Sequence, residues 1–391
     1  MLFRRRRDNP PVRFRLTKAG WAFLAACVVV GIVAVNSGLA LLYVMFGCLL
    51  GALHVSAVLA RRMIAAVRVQ RDLPARCRQN QPVTLGYLLR SIRGGGTCLA
   101  LRIEEAGVRG VEIPPAACGH LPAHQSFLSR TAMTPSRRGR IHLRALRLST
   151  TFPFGLVSAT RQFAQAASLR VWPARGRLTR PLLGRGEALS TSASPSFRAG
   201  GQEEFFGLRE YRLGDNARWI HWRRSAGRGE PVIREMSRPR PKTLWVVLDT
   251  RLADGSAEAV ERRERAIRFA ATIFEDALAA GYRVGAAMAY RQQVVVLRPA
   301  ERRAQRQVLL DALTDIDDHA PRPLGETVAR LRPSWLHHTH VVVIGADGGE
   351  APLPADALVR LRRDCRNLTI VSGPQIEAMF RDDPAAAQEV E

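Results

Sequence analysis

The sequence predicts a multi-domain chain: an N-terminal transmembrane helical hairpin, an all-β sandwich-like domain, and a C-terminal α/β doubly wound domain. Three observations predict it. Residues 19–60 contain no Asp, Glu, Lys or Arg. From about residue 65 to 173 apolar side chains recur at every second position, and from residue 241 apolar runs alternate with stretches of helical period. The resulting plan is a basic N-terminus (1–18), two spans (19–62), a β domain (63–175), a linker or loop (176–199), a charged and aromatic segment (200–240) and the α/β domain (241–391).

A bilayer span needs about 20 apolar residues, so the uncharged stretch is too long for one helix and right for two. Asn36, Ser37 and Gly38 favour a tight turn, which divides it into 20–35 and 39–60. Two core helices of a soluble domain would each show a polar face, and these show almost none. Arg4, Arg5, Arg6, Arg7, Arg13, Arg15 and Lys18 precede the pair, Arg61, Arg62, Arg68 and Arg71 follow it, and the turn carries no charge. The positive-inside rule then puts both ends, and all that follows Arg61, in the cytoplasm. A signal peptide is the weaker reading, because a second apolar segment follows where a cleavage site would stand. His54, inside the second span, is read as bonding across the hairpin or sitting at its end.

In the β domain the alternation runs through Val67/Val69, Val83/Leu85/Tyr87, Leu99/Leu101/Ile103, Ile141/Leu143 and Leu169/Val171, with Pro and Gly clusters between. About seven strands of an antiparallel sandwich or barrel fit, serving as a juxtamembrane scaffold. Residues 174–199, rich in Gly, Ser, Ala and Arg, read as a linker. The continuous apolar run 243–248 suits a strand buried on both faces. A helix over 257–280, strands over 283–290 and 293–297, and helices over 302–315 and 325–330 follow. A strand over 340–345, a helix over 356–363 and a strand over 368–371 complete a mostly parallel sheet.

The segment 200–234 concentrates charge and aromatic groups. Leu213, Gly214, Asp215 and Asn216 form a turn from which Asp215 is expected to N-cap a helix running through about Ser225. Arg218 and Trp222, and Trp219 and Arg223, would then share helix faces. Arg209, Glu210, Arg212 and Asp215 are expected to join Arg218, Arg223 and Arg224 in an ion-pair network.

The ordered set Gly201, Glu204, Phe206, Arg209, Glu210, Tyr211, Gly214, Asp215, Arg218, Ile220, His221, Trp222, Ser225 and Ala226 resembles the signature of the bacterial membrane-protein family called domain of unknown function 58. Residues 138–140 (Arg-Gly-Arg) and 151–156 (Thr-Phe-Pro-Phe-Gly-Leu) resemble further landmarks of it. The resemblance implies a bacterial inner-membrane protein, and it assigns no activity. It also implies a partner, a MoxR-type AAA ATPase, since members of the family are commonly associated with one.

Asp249 follows the first apolar run of the α/β domain and Asp347 follows a later one, with Thr327 between them. This set is similar to the von Willebrand factor A domain, and that likeness implies a magnesium ion held by an Asp-x-Ser-x-Ser loop, a Thr and a second Asp. Here Arg251 and Ala253 stand at the two serine positions. Magnesium demands near-octahedral oxygen ligation, and a guanidinium accepts carboxylates bidentately. Arg251 is therefore expected to neutralise Asp249 and Asp347, and no cofactor is expected. The alternatives are magnesium at Asp249, Thr327 and Asp347, or strand-end caps of purely structural use.

The formal net charge is +25. Such a charge points to an anionic partner. The only lysines are Lys18 and Lys242, so the excess is almost all Arg, as a coding bias would produce, and no groove-reading motif accompanies it. Six cysteines without a Cys-x-x-Cys pair argue for free thiols and against zinc or a disulfide framework.

The expected function is a membrane-anchored, cytoplasm-facing scaffold or adaptor that binds a protein through its α/β domain and signature segment, without catalysis of its own or an identified small-molecule substrate. One alternative is a metal-dependent or hydrolytic enzyme using Asp249 and Asp347, or His221 as base near Asp215 or Glu210 with Ser225 close by. Another is a binder of anionic lipid or nucleic-acid surfaces.

Overall fold

A computed structural model describes residues 11–92, 96–108, 110–180, 182, 204–212, 215–237, 242–252, 254–290, 293–300, 302–316, 322–346 and 353–382. The chain divides into two compact units. The first is Met1–Arg175 with Leu310–Ile316 and Asp382–Glu391, and the second is Gly176–Leu309 with Asp317–Arg381.

In the first unit, strand β1 (Arg13–Leu16) leads directly into helix α1 (Lys18–Ser37), which is followed by α2 (Ala40–Ala66). Gly38 closes α1 in the left-handed conformation at φ 67°, which glycine adopts without cost, so the turn falls where Asn36-Ser37-Gly38 puts it. Both helices are long and apolar enough to cross a membrane. Val29, Ile32, Val35, Leu41 and Val44 on them are exposed. His54 is exposed within α2, and its side chain makes no hydrogen bond across the hairpin among the described residues. The second helix runs beyond the predicted end at residue 60, because Ala60, Met63 and Ile64 enter the core of the β region. Arg61 and Arg62, on the other side of those turns, stay exposed.

Strands β2 (Val67–Asp72), β3 (Arg76–Arg78), β4 (Val83–Ser91), β5 (Cys98–Ala106), β6 (Ala116–Leu121), β7 (Ser126–Met133), β8 (Gly139–Thr150) and β9 (Val157–Trp172) follow. Among the described residues they form a sheet in the order β1-β9-β8-β5-β6, with β3 added in parallel to β9, and a three-stranded sheet β2-β4-β7. The two sheets share one core, in which Val69, Leu85, Tyr87 and Leu89 of one meet Leu101, Ile103, Leu143 and Leu169 of the other. More strands appear than the seven expected, because β1 comes from the basic N-terminus ahead of the helices and β3 is too short to show a period.

The inward positions of β2, β4 and β5 include the polar groups Arg71, Tyr87 and Glu105. Arg71 Nε and Nη2 donate to Glu105 at 2.9 and 2.7 Å, Tyr87 Oη donates to Glu105 Oε1 at 3.1 Å, and Arg71 Nη1 donates to the Gln165 carbonyl. Side-chain exposures of 5% for Arg71 and 1% for Glu105 make this a buried pair, which holds only while each charge keeps its partner. Burial first, then the Glu105 charge, pushes the Tyr87 hydroxyl well above its ordinary value, so it remains a donor.

The landmarks 138–140 and 151–156 do structural work in this unit. Thr17 Oγ1 donates to the Gly155 carbonyl at 2.6 Å and accepts from Gly20 N at 2.9 Å, while Thr17 N donates to Leu156 O at 3.1 Å. Arg138 Nη1 donates to the carbonyls of Leu313 and Ile316 at 2.7 and 2.9 Å. Arg140 forks onto Asp315 at 2.7 and 2.5 Å. Asp311 in the same segment accepts from Arg76, Arg170 and Trp172. Burial pushes its carboxyl up, and the bonds from Arg76 and Trp172 outweigh that, leaving it below the ordinary carboxylate value.

The second unit opens with β10 (Gly176–Leu178), within what reads in the sequence as linker. A β-hairpin of β11 (Glu204–Glu210) and β12 (Val232–Ser237) encloses helix α3 (Trp222–Arg228). Next come β13 (Thr243–Leu248), α4 (Ala257–Ala279), β14 (Arg283–Tyr290), β15 (Gln293–Ala300), α5 (Arg302–Thr314, whose last part falls in the first unit), α6 (Leu324–Ala329) and α7 (Pro333–Leu336). The chain ends with β16 (His340–Ile344), α8 (Ala355–Asp364), β17 (Asn367–Val371), α9 (Gly373–Met379) and β18 (Phe380–Asp382), which pairs with β10.

The sheet order is β15-β14-β13-β16-β17, parallel except for β15. Residues 244–248 are all buried, as a strand covered on both faces requires. Trp245, Val247, Val341 and Val343 pack with Leu324, Val328, Leu336 and Leu361 of α6, α7 and α8. Helix α4, capped by Ser256 through Ala259 N at 3.1 Å, lies against β13 and β14. This is an α/β region of the alternation expected, with α7, α9 and β18 added.

Candidate functional site

The signature segment is built on the β11–β12 ladder, in which Glu210 pairs with Val232 and Arg209 with Ile233. Tyr211 N donates to Pro231 O at 2.9 Å and closes the loop at its base. Arg209 then reaches forward: its Nη1 and Nη2 lie 2.6 and 2.7 Å from the two oxygens of Asp215. Arg212 N donates to the same carboxylate at 2.9 Å. The bonds from Arg209, and next the Arg212 N–H, hold the Asp215 carboxyl down to about 2.

Asp215 therefore does not cap a helix, because both its oxygens are taken from behind. Asn216 is the cap instead, accepting Arg218 N at 3.0 Å over a single 3-10 turn, Ala217–Trp219. Ile220 then bridges to Ile233, and His221 N donates to Val232 O at 2.8 Å, which stitches the chain back to β12. That interruption separates Arg218 from Trp222 and Trp219 from Arg223, so neither pair shares a helix face. Arg218, Arg223 and Arg224 are exposed, and among the described residues they form no ion pair with Asp215, which is held by Arg209.

A second helix start follows at His221, whose Nδ1 accepts Arg224 N at 3.3 Å. In that tautomer the proton sits on Nε2. Ser225 Oγ donates to the His221 backbone carbonyl at 3.1 Å and accepts Val232 N at 2.9 Å. The hydroxyl is thus turned to main chain and away from the imidazole. Gly229, left-handed at φ 73°, ends α3 by donating to Ser225 O at 3.0 Å. Trp222 at the first turn is 69% exposed. Glu210 is exposed as well. Gly201 and Gly214 lie outside the described residues.

At the end of β13, Asp249 is buried and its N–H donates to Ile344 O at 2.8 Å. Arg251 closes on it, with Nε 3.1 Å from Oδ1 and Nη2 2.9 Å from Oδ2, and Arg251 N adds a third bond at 3.1 Å. Thr250 Oγ1 donates to Ala289 O at 2.5 Å. Thr327 is buried on α6 and is not hydrogen-bonded to Asp249 among the described residues. Asp347 and Ala253 lie outside them. No group of three His, Cys, Asp or Glu side chains suited to a metal is found among the described residues. All six cysteines are free thiols.

Signals for two of these features stand in the sequence. Continuing the period-two pattern past Val67/Val69 and Leu101/Ile103 reaches Arg71 and Glu105, opposite charges at inward positions. Asn216, one residue beyond Asp215, is as good a cap by residue type.

Fold and site together define a chain with two apolar helices, a mostly β region and an α/β region preceded by a tightly bonded hairpin of arginine, aspartate and tryptophan. Residues 207–367 match the family described as protein of unknown function DUF58, a span that starts in β11 and ends in β17. This supports the resemblance carried by the signature; the helices and the β region lie outside the match. No curated protein matches the chain significantly. Among solved structures it is similar to a CARDB domain from Pyrococcus furiosus, at 10% identity and a TM-score of 0.20, over 27% of this chain and 94% of that one. So low a score is no measure of a shared fold.

Proposed function

We propose that the chain is a membrane-anchored scaffold whose signature hairpin docks a protein partner on the cytoplasmic side. The observation that carries this reading is Trp222: a large aromatic side chain, 69% exposed, on a helix whose frame is bonded by His221, Ser225 and Gly229. Exposed tryptophan flanked by arginine is the composition of an interface hot spot. The family resemblance names a MoxR-type AAA ATPase as the partner. The exposed apolar faces of α1 and α2 support the anchor, and the basic residues flanking them support cytoplasmic termini.

For the α/β region we infer a von Willebrand factor A-like fold, from the central first strand, the antiparallel edge strand and Asp249 at the first strand's end. The magnesium site of such folds does not fit this chain. Both oxygens of Asp249 already face Arg251, which takes the place of the cation. An enzymatic reading through His221 and Ser225 finds no support in a hydroxyl bonded to backbone.

The test is a photo-crosslinking residue at position 226, exposed on α3 one turn from Trp222, in the full chain in native membranes, with position 359, exposed on α8, as the control. Crosslinks to an AAA ATPase from 226 and not from 359 are expected. Equal labelling at both, or turnover of a small molecule by the purified chain alone, overturns the reading.

A further inference from the structure

A groove of about 360 Å³ opens on the face of the larger sheet of the first unit, lined by Pro11, Arg13, Arg15, Arg147, Thr160 and Gln162 with two alanines. The register explains the gathering. Arg13 pairs with Thr160 and Arg15 with Ser158, while Arg147 pairs with Gln162, so side chains from β1, β9 and β8 emerge on one face. Arg13, Arg15 and Arg147 are exposed. Arg13 and Arg15 meet no carboxylate among the described residues. The nearby acid, Glu104, is engaged by Arg102 at 2.7 Å and lies 3.8 Å from Arg147. The face therefore holds an excess of guanidinium groups, with hydroxyl and amide donors between them.

Its position suggests the occupant. β1 ends at Leu16 and α1 begins at Lys18, so Arg15 stands within about 10 Å of the helix start at the strand rise of about 3.3 Å per residue. Lys18 itself, and Arg61 and Arg62 near the end of α2, carry further positive charge at the base of the helical pair. A phosphate presented at a membrane surface would arrive at this end of the groove. Arginine forks recognise phosphate oxygens bidentately.

We propose that this groove binds the headgroup phosphate of an anionic phospholipid at the membrane surface. The proposal rests on the membrane-anchored reading above and adds a specific lipid site to it. Arg13 and Arg15 clamp the phosphate from one strand, and Arg147 closes from two strands away and two residues further along than Arg13, about 12 Å between the backbones.

The full chain, inserted in vesicles of phosphatidylcholine with and without phosphatidylglycerol, is extracted in mild detergent, and the phospholipid retained per chain is read by native mass spectrometry. Phosphatidylglycerol is expected to be retained in preference to phosphatidylcholine. The Arg13→Gln/Arg15→Gln variant is expected to lose that preference by roughly 30-fold, as two basic side chains near an anionic surface would contribute. Arg130→Gln/Arg144→Gln, which removes the same charge from exposed positions outside the groove, is expected to keep it. Equal retention of both lipids by the parent chain, or equal loss in both variants, overturns the site while leaving the anchor intact. Displacement of the lipid by millimolar glycerol 1-phosphate, with equally tight binding of inorganic phosphate, makes it a soluble-anion site and overturns the lipid assignment. A chain stripped from vesicles by alkaline carbonate would remove the anchor itself and the proposal with it.

Discussion

Gly20 lies against the carbonyl oxygen of Leu156 so closely that a Cβ on residue 20 would meet that oxygen at 2.0 Å. With Thr17 bonded to Gly155 and Leu156, the first turn of α1 is seated on the β region with no room for a side chain. At the other end, α2 passes into β2 at Val67 without a loop, and its last carbonyls, Ile64 and Ala65, accept from Arg161. The helical pair is thus continuous with the β region at both ends. Gly20→Ala is expected to destabilise the full chain by about 1–3 kcal/mol, the usual cost of overpacking. Thermal melting in detergent measures it, and an unchanged melt would show that the contact is not made.

Glu105→Gln is expected to cost more, about 3–5 kcal/mol, because Arg71 is left as an uncompensated buried charge. Replacing both, Arg71→Met with Glu105→Met, is expected to recover most of that loss. Urea denaturation of the three variants decides it; a double variant worse than the single would contradict the ion-pair account.

The Arg209–Asp215 contact sets a pH dependence. The Asp215 carboxyl stands at about 2 in the folded chain, below its unfolded value of about 3.9. A depressed acid contributes stability that is complete above the unfolded value and is lost as pH falls through the folded one. Protection factors in residues 215–231, which correct for the intrinsic pH dependence of amide exchange, are expected to be flat from neutral pH to about 4 and to fall only toward 2. Arg209→Ala should remove the plateau's protection at all pH values.

Ser225→Ala and Trp222→Ala are expected to part company. The first leaves Val232 N–H without its acceptor and costs roughly 1–3 kcal/mol. The second removes an exposed side chain and changes stability by less than about 0.5 kcal/mol, while partner crosslinking is lost. A Trp222→Ala chain that melts early would make the residue part of the fold.

Magnesium is expected to leave the melting temperature of the parent chain unchanged, since Arg251 already occupies both oxygens of Asp249. Arg251→Ala should lower stability by about 1–3 kcal/mol, because the Asp249 carboxylate is buried. A magnesium-dependent rise in the parent chain would reverse this reading.

The alternation of Val, Leu and Ile in the β region and the run at 243–248 were legible because a strand's faces are set by chain period alone. Within the signature, the charged and aromatic residues were legible and their bonding was not. Asp215 and Asn216 are both good caps by type, and nothing local says that Arg209, six residues back, claims the first. The break at Ile220 and His221 was hidden for a similar reason: it is made by hydrogen bonds to Val232 and a bridge to Ile233, both more than ten residues away.

By itself the sequence determined the two apolar helices, the change from period two to alternating strand and helix, and the position of Arg251 beside Asp249, because each depends on neighbours along the chain. Only the tertiary structure decided that Arg13 and Arg15 belong to a sheet with Arg147, and that Arg138 and Arg140 meet the carbonyls and carboxylate of residues 313–316. The physical reason is that a guanidinium finds its acceptor through space, and strand register, which no local pattern encodes, sets which acceptor comes within reach.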